Sequence, residues 1–380
     1  MPETRPPLNP PLTARHPDIH RPWSDWAEDQ ILHVAVAYSN PFRWESRRRS
    51  MNKLRDHMAQ QANVRLYVGE LAFGDRPWEV TTPENPYDLQ LRTRHEAFYK
   101  ENLQNNIIRS RWPSNWAYGM CCDADFHIVT PGWGLETVQQ LQHYEWVQPF
   151  SSYLDVTGGV YGQANAPYRV NSSFMFNYIQ NGYRVSPQYH NGIVGPDGKF
   201  IRARPEDDYG AAMGEPSHVE GEFLRGVGAT GGAYAFRRSA YEAVGGLLDR
   251  CILGHADWYM AYQLVGVEPP DIHSQKYSAA YKEYVKSWGK WAERLRRNVG
   301  YVDAMATHAF HGSKTRRGYS SRDKILASHQ FDPYCDIHPD AQGIWQFDPE
   351  KWQLRDDIRR YFISRFEDDP NIYGSERLMV

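Results

Sequence analysis

The stretch Ala117–Phe126 reads AYGMCCDADF, a short apolar run that ends in two aspartates one residue apart. Side chains alternate across a strand, so carboxylates at i and i+2 are expected to point the same way. One such pair is common by chance. At the carboxyl end of a buried strand it becomes a candidate dock for a divalent cation that carries phosphates. Asp123 and Asp125 occupy that position if the run before them is a strand.

The neighbouring sequence supports a strand there. Ile31–Tyr38 (ILHVAVAY) and Val64–Val68 (VRLYV) are apolar runs of strand length. Between them, Met51, Leu54 and Met58 recur at helical spacing, which predicts a helix over 46–61. A second helix is predicted over 96–108, just before the quoted run. A polar, proline-containing stretch over 73–88 reads as loop. Alternating strands and helices predict an α/β fold with a mostly parallel central sheet, and ligands in such folds sit beyond the carboxyl ends of the strands.

Downstream, residues 157–228 are rich in Gly, Pro, Asn and Tyr with weak periodicity, and are expected to form an insertion over an acceptor site. Order is expected again at Gly231–Arg238 as a strand, then a helix over 239–245, a further helix after Asp257, and a strand over 301–310. The organisation expected is an irregular Pro-rich arm over 1–28, a catalytic domain over 29–330 and a C-terminal extension over 331–380 with a helix over 349–366.

Composition narrows the function classes without choosing one. The 380 residues carry a formal charge of −3, which argues against a general polyanion binder. The 13 Trp and 25 Tyr suit stacking on sugars or bases, and equally suit a large core. The four cysteines lack C-x-x-C spacing, so neither a zinc site nor a disulfide framework is indicated. There is no signal-peptide pattern and no run long enough to span a membrane, so the expected location is cytoplasmic.

Several motifs carry chemistry. Gly226, Gly228 and Gly231 fit G-x-G-x-x-G, but a loop precedes them and a strand-like run follows. A dinucleotide fingerprint needs the reverse, so that reading is rejected. Asp257 follows a Gly-His-Ala turn; it reads either as a helix N-cap or as a general base for an acceptor hydroxyl. His308 and His311 form H-x-x-H after a strand, either structural or completing a cation site begun by the aspartates. Lys314, Arg316 and Arg317 follow, as a solvated basic loop or as ligands for a diphosphate.

Taken together these motifs resemble the GT-A glycosyltransferases, most closely their β-1,4-galactosyltransferase-like branch. That branch has a Phe-x-Arg-x-x-Leu-x-Asn helix, matched by Phe98, Leu103 and Asn105 with Lys100 in place of arginine. Asp123 and Asp125 match its Asp-x-Asp strand end. Gly231, Gly232 and Phe236 match its Gly-Gly-x-x-x-Phe strand. Gly254 to Asp257 stand where Gly-Gly-Glu-Asp is expected, followed by a late metal histidine. The chain also resembles phage-encoded glycosyltransferases in its Lys-Glu-Asn-Leu and His-Gly-Ser-Lys wording. Two departures concern the acceptor: Ala256 replaces the family's glutamate, and the tryptophan-bearing mobile loop is not recognisable.

The resemblance implies a GT-A-like fold and a metal-dependent, inverting transfer from a nucleotide-diphosphate sugar, most simply a UDP-sugar. It implies Mn²⁺ or Mg²⁺ held by Asp123, Asp125 and one of His308 and His311, with Asp257 as base. Asn40, Pro41, Arg43, Lys100, Asn105, Asp123, Gly232, Lys314 and Arg317 would hold the donor. The phage likeness adds a hydroxylated base in DNA as a candidate acceptor, ahead of a soluble or cell-wall glycan. The rivals are a non-catalytic carbohydrate- or nucleic-acid-binding protein, and a metal-dependent phosphotransferase or hydrolase using the same aspartates.

Overall fold

A computed structural model describes residues 30–156, 167–186, 192–194, 200–202, 217–219, 222–270, 272, 276–311, 315–318 and 322–368. The Pro-rich arm, Lys314 and much of 157–228 lie outside the described residues.

Strand β1 (Leu32–Ser39) is followed by helix α1 (Glu45–Ala59), β2 (Val64–Phe73), β3 (Asp88–Thr93), α2 (Lys100–Arg111) and β4 (Tyr118–Cys122). Then come β5 (Phe126–Ile128), α3 (Trp133–Leu141), β6 (Trp146–Gln148), β7 (Ser152–Val156), β8 (Pro167–Ser172) and α4 (Phe174–Gln180). Two short hairpins pair β9 (Gly192–Val194) with β10 (Phe200–Arg202) and β11 (Ser217–Val219) with β12 (Glu222–Leu224). The chain continues through β13 (Ala233–Arg237), α5 (Arg238–Ala243), α6 (Ala256–Leu264) and α7 (Ala279–Ala292). It then forms β14 (Val299–Tyr301), β15 (Met305–His308), α8 (Asp323–Ser328), β16 (Ile337–Pro339), β17 (Trp345–Phe347) and α9 (Trp352–Ser364).

The central sheet has the order β14-β6-β13-β4-β1-β2-β3. Its strands run parallel except β13, which is antiparallel to both β4 and β6. This is the mixed α/β, mostly parallel architecture expected from the sequence. Alternate residues of β1 enter cores on opposite faces: Leu32, Val34 and Val36 pack with Met51, Leu54 and Met58 of α1, and Ala35 packs with Leu103 and Ile107 of α2. Burial on both faces is why β1 reads as an unbroken apolar run.

A second sheet, ordered β5-β15-β7-β8, lies in the chain just past β4 and β14. It corrects the expected single strand over 301–310: β14 extends the large sheet beside β6, and β15 joins β5 and β7 in the small one. Asp303, which accepts from Ser151 Oγ at 2.8 Å, lies in the linking turn. The stretch expected as an insertion is not all loop either. Within it β8 pairs with β7, and Phe174, Met175 and Tyr178 of α4 are buried in the core.

The last described residues are tied to the start of α1. Trp44, the residue before that helix, supplies no side-chain cap. Instead the Asp368 carboxylate accepts from the backbone N–H groups of Glu45 and Ser46, satisfying donors a helix start leaves open. No helix among the described residues is long and apolar enough to cross a membrane.

Candidate functional site

The two aspartates do not share one strand. β4 ends at Cys122, and Asp123–Asp125 is a turn in which the Phe126 N–H bonds back to the Asp123 carbonyl at 3.2 Å. The turn removes the period-2 geometry on which a shared direction rests, and the carboxylates enter different surroundings.

Asp125 meets the two histidines. Its Oδ2 lies 2.5 Å from His311 Nε2 and 3.6 Å from His308 Nε2. One ligand atom from each of Asp125, His308 and His311 lies within 4.8 Å of the others, a group able to hold a metal ion. Burial works against the Asp125 charge, but the two imidazoles outweigh it and hold the carboxyl well below its usual range. Burial lowers both histidines. For His308, Asp125 and Asp155 reverse the effect and push it up to about 9. For His311, burial and the nearby Arg317 guanidinium prevail, and it falls to about 4.

Asp123 faces Lys100, whose Nζ lies 3.1 Å from Asp123 Oδ1 and 3.3 Å from Glu101 Oε1. Placing Lys100 at the first turn of α2 brings its ammonium under the end of β4. Burial raises the Asp123 carboxyl, with Asp125 and Asp257 adding to the effect and Lys100 opposing it. Among the described residues, then, Asp123 pairs with a lysine while the metal-capable group contains Asp125 alone of the two.

Asp257 belongs to the Lys100 group. It is the second residue of α6, not its N-cap; that place is taken by His255, whose φ is +72°. The Asp257 carboxylate accepts from the Trp258 N–H at 2.9 Å. Burial raises its pKa, and Lys100, His255 and that backbone donor lower it further than burial raises it, so it is a carboxylate at neutral pH. His255 is fixed in turn by Asp323, 2.9 Å from its Nδ1.

The glycines at 231 and 232 make room for this arrangement. A Cβ on Gly231 would stand 2.4 Å from Asp257 Oδ2, and one on Gly232 would meet the Phe126 ring at 2.8 Å. The Gly232 carbonyl also accepts the Asp123 N–H at 2.8 Å. Gly232, expected among the residues that hold the donor, has the Phe126 ring packed against it. The segment runs on into β13 rather than a helix, as the rejection of a dinucleotide fingerprint requires.

Of the other predicted donor residues, Asn40, Pro41 and Asn105 are engaged within the fold. Asn40 Nδ2 lies within bonding distance of Tyr38 Oη, the Trp44 carbonyl and Glu79, and its Oδ1 accepts from the Trp44 N–H. Pro41 is buried, and its carbonyl accepts from Arg76. Arg43 is exposed, 3.6 Å from Glu79. Asn105 is fully buried: its Nδ2 donates to the Leu247 carbonyl and Asp249, and its Oδ1 accepts from Tyr241 and the Leu247 N–H. It locks α2 to the turn after α5 and has no amide group left for a ligand. Arg317 is buried close to His311, and its carbonyl accepts from Tyr361 at 2.8 Å.

Three acidic residues near the site went unnoticed in the sequence. Glu101 is buried beside Lys100, and desolvation pushes its carboxyl up to about 7 against the pull of that lysine. Asp155 contacts His308 Nδ1 at 2.8 Å. Glu367 is bound by Arg47 at 2.7 Å and Arg365 at 2.6 Å and stands 4.0 Å from His311. Asp155 and Glu367 are isolated in sequence and only the fold brings them in, whereas Glu101 adjoins Lys100 on α2.

No protein-family model and no curated protein matches the chain. Among solved structures, a protein assigned as a nucleotide-diphospho-sugar transferase from Desulfovibrio desulfuricans aligns over 87% of this chain and 97% of its own, with 9% identity and a TM-score of 0.31. The 4-diphosphocytidyl-2C-methyl-D-erythritol synthase of Anaerococcus prevotii aligns over 81% and 99%, with 6% identity and a TM-score of 0.29. A protein assigned as a glucose-1-phosphate thymidylyltransferase from Bacillus anthracis aligns over 82% and 98%, with 8% identity and a TM-score of 0.32. Likenesses this distant carry no weight for the chemistry, which rests on the geometry above.

Proposed function

We propose that this chain is a divalent-cation-dependent, inverting glycosyltransferase that draws its sugar from a nucleotide diphosphate. The observation that carries the reading is the Asp125–His308–His311 group beyond β4, with Asp257 coupled to the neighbouring aspartate through Lys100. One carboxylate and two imidazoles suit Mn²⁺ better than Mg²⁺, which prefers an all-oxygen shell. When bound, the cation offsets the charge that builds on the departing nucleoside diphosphate.

The protein residues divide the remaining work. Asp257 is held ionised and is the proposed base: it takes the proton of the acceptor hydroxyl as that oxygen bonds to the anomeric carbon. The bond to the donor phosphate breaks on the opposite face. Lys100 neutralises Asp123, which is the proposed contact for the donor's ribose. Arg317 and Lys314 are the proposed cations for the diphosphate. The first acceptor to test is a hydroxymethylated base in DNA, on the strength of the phage-type wording, and it would have to be flipped out of a duplex.

The test incubates the protein with a panel of nucleotide sugars and Mn²⁺, then with hydroxymethylated DNA read by nucleoside mass spectrometry. Slow, chelator-sensitive donor hydrolysis is expected with at least one donor. Asp257→Asn should abolish transfer while leaving donor binding intact. No turnover together with no metal-dependent nucleotide binding would point to a binding protein and end the proposal.

A further inference from the structure

Both cluster histidines present Nε2 to Asp125, and the group that turns His308 this way lies outside the cluster. Asp155, on β7, sits directly beside His308 in the parallel pairing of β7 with β15. It is 2% exposed. Its Oδ1 lies 2.8 Å from His308 Nδ1, and its Oδ2 accepts from Asn171 Nδ2 on β8 at 3.1 Å. The carboxylate therefore bridges two neighbouring strands to the imidazole. The ring is also flanked by Tyr153, edge-on with centroids 6.1 Å apart, and by Phe126 at 6.5 Å.

An ionised carboxylate can only accept, so a histidine bonded this way keeps its hydrogen on Nδ1 and offers Nε2. Such a partner also strengthens the imidazole as an electron-pair donor. His311 has a weaker counterpart: its Nδ1 is 4.0 Å from Glu367, beyond hydrogen-bond reach.

We propose that Asp155 is a positioning residue for the cation site. It fixes the tautomer and direction of His308, so that His308 is a ligand in its own right alongside His311, and Asn171 holds Asp155 in place. This rests on the reading that Asp125, His308 and His311 bind a divalent cation.

The test is Mn²⁺ binding to the full chain without donor, followed through the electron paramagnetic resonance of free Mn²⁺. Asp155→Asn should weaken binding by about 10- to 100-fold, and Asn171→Ser should weaken it less. A purely structural role would lower the melting temperature and leave the Mn²⁺ affinity of the folded protein unchanged. Wild-type binding with equal affinity in Asp155→Asn overturns this inference and leaves the metal reading standing. No Mn²⁺ binding in the wild type overturns both. Should Asp155→Asn fail to fold, ¹⁵N-histidine NMR of the wild type with diamagnetic Zn²⁺ serves in its place. A proton on His308 Nδ1 with metal at Nε2 supports the proposal, and metal at Nδ1 or no metal contact at His308 refutes it.

Discussion

Replacing Gly231 with alanine gives a direct test of Asp257, because the substitution touches it by one methyl group. The new Cβ would stand 2.4 Å from Asp257 Oδ2, whereas ordinary contact begins at 3.4 Å, so about 1 Å has to be made up. Backbone strain is not at issue, since Gly231 is absent from the glycines with positive φ. The helix cannot yield easily, because Ala256 and every residue from Trp258 to Leu264 are buried. The carboxylate must therefore rotate away from the Trp258 N–H and from the field of Lys100. A misplacement of about 1 Å in a reacting group costs on the order of 10²-fold in rate, or ~2.7 kcal/mol in the barrier. Steady-state transfer, or donor hydrolysis if no acceptor is in hand, should show kcat down by about that factor. Donor affinity, measured separately by calorimetry, should be unchanged because the Asp125 group is untouched. Wild-type kcat in a folded Gly231→Ala protein would remove Asp257 from the chemistry. So would a loss confined to donor binding.

Two further outcomes probe the surroundings of Lys100. Glu101 holds its proton more tightly in the folded chain (about 7) than a free glutamate side chain does (4.5), so its contribution to stability is complete below pH 4.5 and lost as pH rises through 7. That span corresponds to ~3 kcal/mol. Glu101→Gln should match the wild type in urea unfolding at pH 4.5 and exceed it by about that amount at pH 8.5; equal stability at both pH values would refute the assignment. Asn105→Ala removes a buried amide with four partners and should cost about 2–4 kcal/mol of stability. Donor affinity of the folded variant should stay at the wild-type value, and a selective loss of donor binding would restore Asn105 to the ligand site.

How much of this was legible beforehand depended on the kind of signal each element carries. β1, α1, β2 and β4 were readable because burial on both sheet faces, or on one helix face, leaves apolar runs or a 3- and 4-residue spacing. β3 was missed altogether: Asp88-Leu-Gln-Leu-Arg-Thr alternates as an edge strand does, and its polar residues blend into the loop before it. Reading 301–310 as one strand failed because the chain changes sheets within it, a choice made by distant partners. The Asp-x-Asp pair was found, but its two carboxylates are not aligned, because β4 ends at Cys122, before either aspartate. Asp155 and Glu367 were out of reach, as strand register and the return of the C-terminal segment place them, while Glu101 stood beside Lys100 without a signal that it is buried. Asn105 was read as a donor residue; the hydrogen bonds that engage its amide with Leu247, Asp249 and Tyr241 show only in three dimensions.

The central claim is that the Asp125 group joins a cation to a nucleotide diphosphate, and calorimetry of UDP binding with and without Mn²⁺ measures this joint binding. The wild type should bind UDP tightly only with Mn²⁺, and Asp125→Asn should lose the Mn²⁺ dependence. UDP binding that is indifferent to Mn²⁺ in the wild type, or Mn²⁺ dependence retained in Asp125→Asn, would contradict the account.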